Sequence, residues 1–175
     1  GKLTAVSLGS ADATDALDGT LTASVSNAGP FDIGTTEITW SATDAAGNVG
    51  TATQTVKILP IVEVRSLGRA SEGEAYEVRA ILNGTPDTYP VTIPVTFSGS
   101  ATENTDYTAS SASITIESGL EGSLTLTISS DSETETENIV ATLGSPSTGV
   151  ALGPTIVSTI SIVETAVEPA LGLQV

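Results

Sequence analysis

The sequence predicts an all-β protein made of two small β-sandwiches in tandem. Short runs rich in Thr, Val and Ile recur along the chain, and clusters of Asp, Gly, Asn and Pro separate them. No stretch repeats its apolar residues at the spacing of an amphipathic helix. A length of 175 residues is enough for two such domains. Because only 3% of the residues are aromatic, we expect cores of Val, Ile, Leu and Ala.

The first domain is predicted to span residues 1–59, with strands at 3–8, 21–25, 36–42 and 50–59. Ile38, Trp40 and Ala42 alternate along the third strand and therefore share one of its faces. We expect Trp40, the only tryptophan, to anchor the core; its exposure for ligand stacking is the alternative. Asp44 and Gly47 predict a hairpin turn, because Asp can cap its own turn and Gly tolerates a positive φ. The fourth strand should then pair back onto the third.

The second domain is predicted to span residues 60–164. Pro60 interrupts the strand pattern because proline has no backbone N–H to donate, and it marks a domain junction. Pro94 falls inside a predicted strand, which indicates an edge strand or a bulge. Seven strands, the number that an immunoglobulin-like sandwich requires, are predicted at residues 61–65, 76–82, 91–98, 113–116, 123–129, 138–143 and 155–163.

The charge of the chain limits its partners and its chemistry. It has 21 acidic and 5 basic residues, a net charge of −16, so no basic cluster can neutralise the phosphates of a nucleic acid. Cations are the expected partners, above all Ca²⁺, which prefers oxygen ligands. The absence of Cys and His removes thiol nucleophiles, imidazole bases and the usual zinc ligands. Since few aromatic residues are present to build a sugar-cleaving cleft, we expect no enzyme activity.

The composition also bears on location. A secreted β protein without Cys is more typical of bacteria than of animals, so we expect an extracellular or cell-surface location on a bacterium. No apolar run is long enough to predict membrane insertion. We expect a monomer whose partners are neighbouring domains of the same chain, with other cell-surface proteins or glycans as further candidates.

Residues 41–48 (SATDAAGN) and 51–56 (TATQTV) form a recognisable pair of motifs in the first domain. Together with residues 13–20 and 29–36 they resemble the hyalin-repeat (HYR) family. The resemblance implies an immunoglobulin-like sandwich associated with adhesion. The family's first strand, which would precede Leu3, has no counterpart, so we expect two tandem immunoglobulin-like β-sandwiches of which the first lacks its opening strand.

The second domain carries Ser71-Glu72-Gly73, Ser98-Gly99-Ser100-Ala101, Asp106-Tyr107-Thr108 and an acidic run at residues 131–137. These motifs resemble the Calx-beta family over residues 61–163. The family includes calcium-binding domains of sodium/calcium exchangers and modules of bacterial surface adhesins. The resemblance implies that acidic residues of the loops and of the last strand's end hold Ca²⁺ at one end of the sandwich. The implied ligands are Glu72, Asp106, Asp131, Glu133, Glu135 and Glu164.

Two acidic segments have alternative interpretations. In the run from Asp131 to Glu137 alternate acids would share one face of an extended chain, where they repel one another unless a cation bridges them. The alternative is a solvated acidic loop. Asp12, Asp15 and Asp18, together with Asp44, could likewise form a small oxygen-rich site, or they could simply cap turns.

Residues 165–175 predict a linker that contains Pro169, followed by a single strand. Leu171, Leu173 and Val175 alternate with Gly172 and Gln174, the pattern of a half-buried strand without a sheet of its own. We expect this strand to open a following domain. The alternative is that it completes the first sandwich of a neighbouring chain.

These features together favour a calcium-stabilised structural extender segment of a large extracellular bacterial adhesin. The first alternative is a glycan- or protein-binding accessory module of a secreted enzyme or receptor, which exposed aromatic residues would support. A calcium sensor is a third hypothesis. It ranks last because this sequence has only Glu164 and Glu168 at the place where exchanger domains finish with a cluster of aspartates.

Overall fold

The structure is a computed structural model that describes residues 6–66, 68–130, 136–147 and 149–163. These residues form fifteen β-strands and no helix, so the all-β prediction is confirmed. The chain divides into two compact units between Pro60 and Ile61. None of the described residues forms a helix long and apolar enough to cross a membrane.

The first unit contains a two-stranded and a three-stranded sheet. The β1–β2 hairpin forms one sheet, and β3, β4 and β5 form the other in that order. A small core contains Phe31, Ile38 and Val56, and partly buried Val25 and Ile58 pack against it. The strands are β1 (Asp12–Asp15), β2 (Gly19–Thr22), β3 (Ser24–Val25), β4 (Gly34–Thr43) and β5 (Val49–Ile58).

The long β4–β5 hairpin confirms the predicted turn. The two strands pair without interruption, and the last pair before the turn is Thr43 with Val49. The Asp44 carboxylate accepts hydrogen bonds from the backbone N–H of Asn48 at 2.7 Å and from its side-chain amide at 2.6 Å. Gly47 has a φ of +90°, which a residue without a Cβ adopts readily.

Three expectations for the first unit were wrong in detail. Trp40 is only half-buried and lies outside the core cluster. The aromatic residue of that cluster is Phe31, which is 2% exposed. The alternation that placed Trp40 on the face of Ile38 is real, but a cavity rather than packed side chains lies beside the indole. The predicted strand at 21–25 is split at Ala23 into β2 and β3. Within the predicted strand at 3–8, the described residues 6–8 form no strand.

The second unit is a sandwich of two five-stranded sheets. One has the strand order β10-β12-β8-β6-β14, and the other has the order β11-β9-β13-β15-β7. The strands are β6 (Ile61–Arg65), β7 (Arg69–Ser71), β8 (Ala75–Leu82), β9 (Val91–Gly99), β10 (Tyr107–Ala109), β11 (Ser113–Ile116), β12 (Glu121–Ile128), β13 (Asn138–Leu143), β14 (Ala151–Leu152) and β15 (Val157–Val163).

All seven strands predicted for the second domain are present, and three shorter ones accompany them. The unpredicted strands β7, β10 and β14 contain only two or three residues, too few to show an alternating pattern. Two of them pair in parallel, β7 with β15 and β14 with β6. Parallel pairing joins segments that are distant in sequence, so no hairpin pattern in the local sequence predicts it.

Pro94 does not mark an edge strand, because β9 lies between β11 and β13. The β9–β13 ladder ends at the pair Val95 and Leu143, so Pro94 stands one residue beyond it. The carbonyl of Pro94 still accepts a hydrogen bond from the Gly144 N–H at 2.7 Å. The missing N–H of proline therefore falls where no ladder partner is needed.

Aliphatic side chains fill the space between the two sheets. Along β8, β9, β11 and β13 buried residues alternate with more exposed ones, as expected for strands with one face toward a core. Ile93, Ile114, Ile139 and Ile160 are fully buried. The core is therefore aliphatic, as the composition predicted.

Replacing Ile139 with Ala should destabilise the second unit. Ile139 is fully buried on β13, the middle strand of its sheet, so truncation removes apolar contacts and leaves a cavity. We expect the free energy of unfolding to fall by about 2–5 kcal/mol. All three tyrosines lie in this unit, so near-ultraviolet circular dichroism during denaturation measures the change. Val157→Ala is the control, because Val157 is 49% exposed and should cost little. Equal losses in the two variants would contradict the assigned core.

Candidate functional site

Loops from both sheets meet at one end of the second sandwich. The backbone N–H of Glu72, in the β7–β8 loop, donates to the carbonyl of Val163 at the end of β15 (3.2 Å). The next residue, Gly73, donates to the carbonyl of Ile128 at the end of β12 (3.1 Å). These bonds tie the β7–β8 loop to the ends of two strands in different sheets.

The β9–β10 loop joins the same end. The backbone N–H of Ser129, which follows β12, donates to the carbonyl of Asp106 at 2.8 Å. Ala101 at the start of this loop donates to the carbonyl of Asn138 at the start of β13 (3.1 Å). The fold thus places Glu72 and Asp106, two of the six predicted ligands, in loops at one end of the sandwich.

Glu72 is the only buried polar or charged side chain among the residues that the structure describes. Only 9% of its surface is exposed. Burial of a carboxylate is costly unless cations or hydrogen-bond donors compensate the charge. Gly73 beside it has a φ of +74°, and a Cβ there would lie 2.6 Å from the Ser130 hydroxyl. The positive φ therefore favours a glycine at this position, and a larger residue would also displace the Ser130 side chain.

Asp106 is held in a tight loop by its own side chain. Its carboxylate accepts a hydrogen bond from the Thr102 backbone N–H at 2.6 Å, while its own N–H donates to the Thr102 carbonyl at 2.9 Å. Asn104 between them has a φ of +67°, a left-handed conformation that Asn tolerates. The hydrogen bond to one of the two carboxylate oxygens therefore fixes the orientation of the Asp106 side chain.

Two carboxylates make the surroundings of Tyr107 negative. Burial raises the pKa of the Tyr107 phenol, and the nearby carboxylates of Glu103 and then Asp106 raise it further because they disfavour a tyrosinate. Tyr107 is 2% exposed and packs edge-to-face against Phe97. Sequence reasoning did not select Glu103, although its position three residues before Asp106 was an available signal.

Four predicted ligands, Asp131, Glu133, Glu135 and Glu164, lie outside the described residues. The described neighbours of these residues belong to the same end of the sandwich: Ser130 lies beside Gly73, the Glu137 carbonyl accepts from the Ile162 N–H at 2.9 Å, and the Val163 carbonyl accepts from Glu72. Within the described ranges no three acidic residues stand close enough to hold a metal ion. The six-residue ligand set stays a prediction.

The acidic residues of the first unit serve as turn caps. Asp15 accepts hydrogen bonds from the backbone N–H groups of Leu17 and Asp18 at 2.7 and 2.9 Å. Asp18 in turn accepts one from the Ala45 N–H at 2.8 Å, which links the β1–β2 turn to the β4–β5 turn. These contacts favour the turn-cap interpretation of the aspartate cluster over the metal site.

Comparison with solved structures shows the fold of the larger unit. The apo form of the Calx CBD1 domain is similar to this chain, with a TM-score of 0.53 and 19% identity over 62% of this chain and 99% of that one. The matched part of the chain shares the fold of that domain. The calcium binding domain CBD12 of CALX1.1 is also similar, with a TM-score of 0.51 and 22% identity. That match covers 59% of this chain and 44% of the CBD12 chain. No protein-family model matches the sequence, and comparison with curated proteins gives no match either.

The hydrogen bonds to Asp44 should make the first unit sensitive to acid. Bonds from the Asn48 side chain and then its backbone hold the pKa of Asp44 below the ordinary 3.8, and bonds from Asp18 and Leu17 do the same for Asp15. A lowered folded pKa means that this stabilisation is present above about pH 4 and is lost as the pH falls through the folded value. We therefore expect the melting temperature of the first unit, followed by Trp40 emission, to fall in that range.

Asp44→Asn keeps an acceptor for the Asn48 N–H but removes the charge. It should lower the melting temperature at neutral pH and reduce its further fall on acidification. Asp32→Asn is the matched control, because Asp32 is exposed and lies outside the turn. Identical pH profiles for the two variants would contradict the role assigned to Asp44.

Proposed function

We propose that the chain is a calcium-stabilised structural extender segment of a large extracellular bacterial adhesin, and that it acts without catalysis. The observation that carries the proposal is the meeting of acidic loops at one end of the second sandwich, with Glu72 buried and Asp106 held in a fixed orientation. The likeness to domains described as calcium binding supports the choice of ion. The HYR resemblance of the first domain supports the adhesive setting.

The donor set of this end suits Ca²⁺ physically. The predicted ligands are all carboxylates, and Ca²⁺ binds six to eight oxygen atoms in a flexible geometry. Glu72 and Asp106 would hold the ion from two loops, and Asp131, Glu133, Glu135 and Glu164 would complete the shell. Because the chain has a net charge of −16, a bound divalent cation would also relieve repulsion among these loops.

The mechanism is a linkage between ion binding and folding. An ion that binds only the folded sandwich stabilises it according to its concentration and its dissociation constant. The bound ion would tie the β7–β8 and β9–β10 loops to the residues around β12 and β15, which stiffens the end of the module. In this proposal the segment is a monomer outside a bacterial cell, and its partners are the neighbouring domains of the same chain and other cell-surface proteins or glycans.

Calcium should raise the melting temperature of the second unit. Extracellular calcium modules bind with dissociation constants of about 10⁻⁴–10⁻³ M, so 10 mM Ca²⁺ should add roughly 1–3 kcal/mol. For a domain of this size that corresponds to about 4–12 °C. Tyrosine circular dichroism follows the second unit, while Trp40 emission follows the first and should change less.

Glu72→Gln and Asp106→Asn should each weaken calcium binding about tenfold or more in calorimetric titration of the whole chain, because each removes one negative charge from the ligand set. Both replacements keep the size of the side chain, and the amide oxygen introduced by Asp106→Asn could still accept from the Thr102 N–H. Glu117→Gln is the matched control, because Glu117 is exposed and lies at the opposite end of the sandwich, after β11. Absence of binding at 10 mM Ca²⁺, or equal loss in all three variants, would reject the site.

A further inference from the structure

The first unit contains a cavity of about 360 Å³ between its two hairpins. The β1–β2 hairpin forms one wall and the β4–β5 hairpin the other. This volume is at the lower end of the range for small-molecule sites. The second sandwich fills its interior with Val, Ile and Leu, whereas six of the sixteen residues that line this cavity are alanine or glycine: Ala11, Ala13, Ala23, Ala42, Gly50 and Ala52.

Trp40 forms an aromatic surface in this cavity. Its indole N–H donates to the Gln54 side-chain oxygen at 2.8 Å, and the Gln54 amide donates to the Leu8 carbonyl at 3.4 Å. The polar edge of the indole is therefore already engaged with the chain, so the ring is held in place. A ligand in the cavity would therefore contact the apolar, electron-rich face of the ring.

The ionisable residues that line the cavity are all acidic. Its only ionisable lining residues are Asp12, Asp15 and Asp44, with no Lys or Arg among the described residues that line it. Hydrogen bonds from Asp18 and Leu17 lower the pKa of Asp15, and bonds from Asn48 lower that of Asp44, so both are ionised at neutral pH. The cavity therefore repels anions and attracts cations.

We propose that this cavity binds an alkylammonium group, carried either by a lysine side chain of a partner protein or by a free amine. The alkyl stem would lie along the alanine walls, and the ammonium would sit near the face of Trp40 within reach of the carboxylates. A cation over a tryptophan face is the most favourable aromatic–cation pairing. A neutral sugar could stack on the same ring and donate hydroxyl hydrogen bonds to the carboxylates, but it would lack the ion-pair attraction that an ammonium gains from three negative charges. This site lies in the first unit and is independent of the calcium proposal.

The test is a titration of the whole chain, followed by Trp40 emission in the presence of a chelator. The probes are N-acetyl-lysine amide, its uncharged analogue N-acetyl-norleucine amide, and methyl glucoside. We expect saturable binding of the lysine probe with a dissociation constant of about 1 mM, and binding at least tenfold weaker for the other two. High salt should weaken the lysine probe selectively. Equal binding of the norleucine probe, or binding of the sugar alone, would overturn the proposal, as would no binding at 50 mM.

Asp12→Asn should weaken the lysine probe about fivefold, because it removes the negative charge of a residue that lines the cavity without breaking the turn caps that Asp15 and Asp44 provide. Asp32→Asn removes the same charge outside the cavity and should change the affinity by less than twofold. Equal weakening by both would mean that only the net charge matters and would reject the site. If Asp12→Asn fails to fold, as judged by its circular dichroism, the salt dependence and the norleucine comparison on the wild-type chain decide the question.

A further comparison separates the two sources of the amine. n-Butylamine and a capped Gly-Lys-Gly peptide carry the same ammonium group. Tighter binding of the peptide indicates a lysine of a partner protein, and equal binding indicates a free amine. Either result requires that the ammonium be recognised, so failure of both probes to bind would reject the proposal.

Discussion

The packing of aliphatic side chains between two five-stranded sheets is the interaction on which the second unit depends. Residues such as Ile93 and Ile139 are fully buried, and the strands that carry them face each other across the core. Because each sheet is fixed by this packing, the strand ends are fixed too. The loops that contain Glu72 and Asp106 therefore meet at one end for a reason unrelated to their charge.

The first unit is held together differently. Its core cluster has three buried residues, Phe31, Ile38 and Val56, among those described, so polar contacts at its turns carry more of the structure. Asp15, Asp18 and Asp44 each cap a turn, and Asp18 connects two of these turns. The small side chains around Trp40 leave a cavity that a larger apolar set would close.

The acidic residues consequently have two roles. In the first unit Asp15 and Asp44 accept hydrogen bonds from N–H groups of the turns and so hold the hairpins in shape. In the second unit a buried Glu72 and an oriented Asp106 stand beside the segments that lead to further acids. A sequence that is acidic throughout does not distinguish these roles, because the same residue types serve both.

The sequence by itself determined the all-β class, the seven long strands of the second sandwich and the Asp44 turn, because alternation and turn chemistry are local. It did not determine the short parallel strands β7 and β14, whose partners are distant in sequence. It selected Glu72 and Asp106 through a family resemblance, but only the tertiary structure placed their loops together. The partial exposure of Trp40 also required the fold, since alternation assigns a residue to a face and cannot say whether other side chains fill the space beside it.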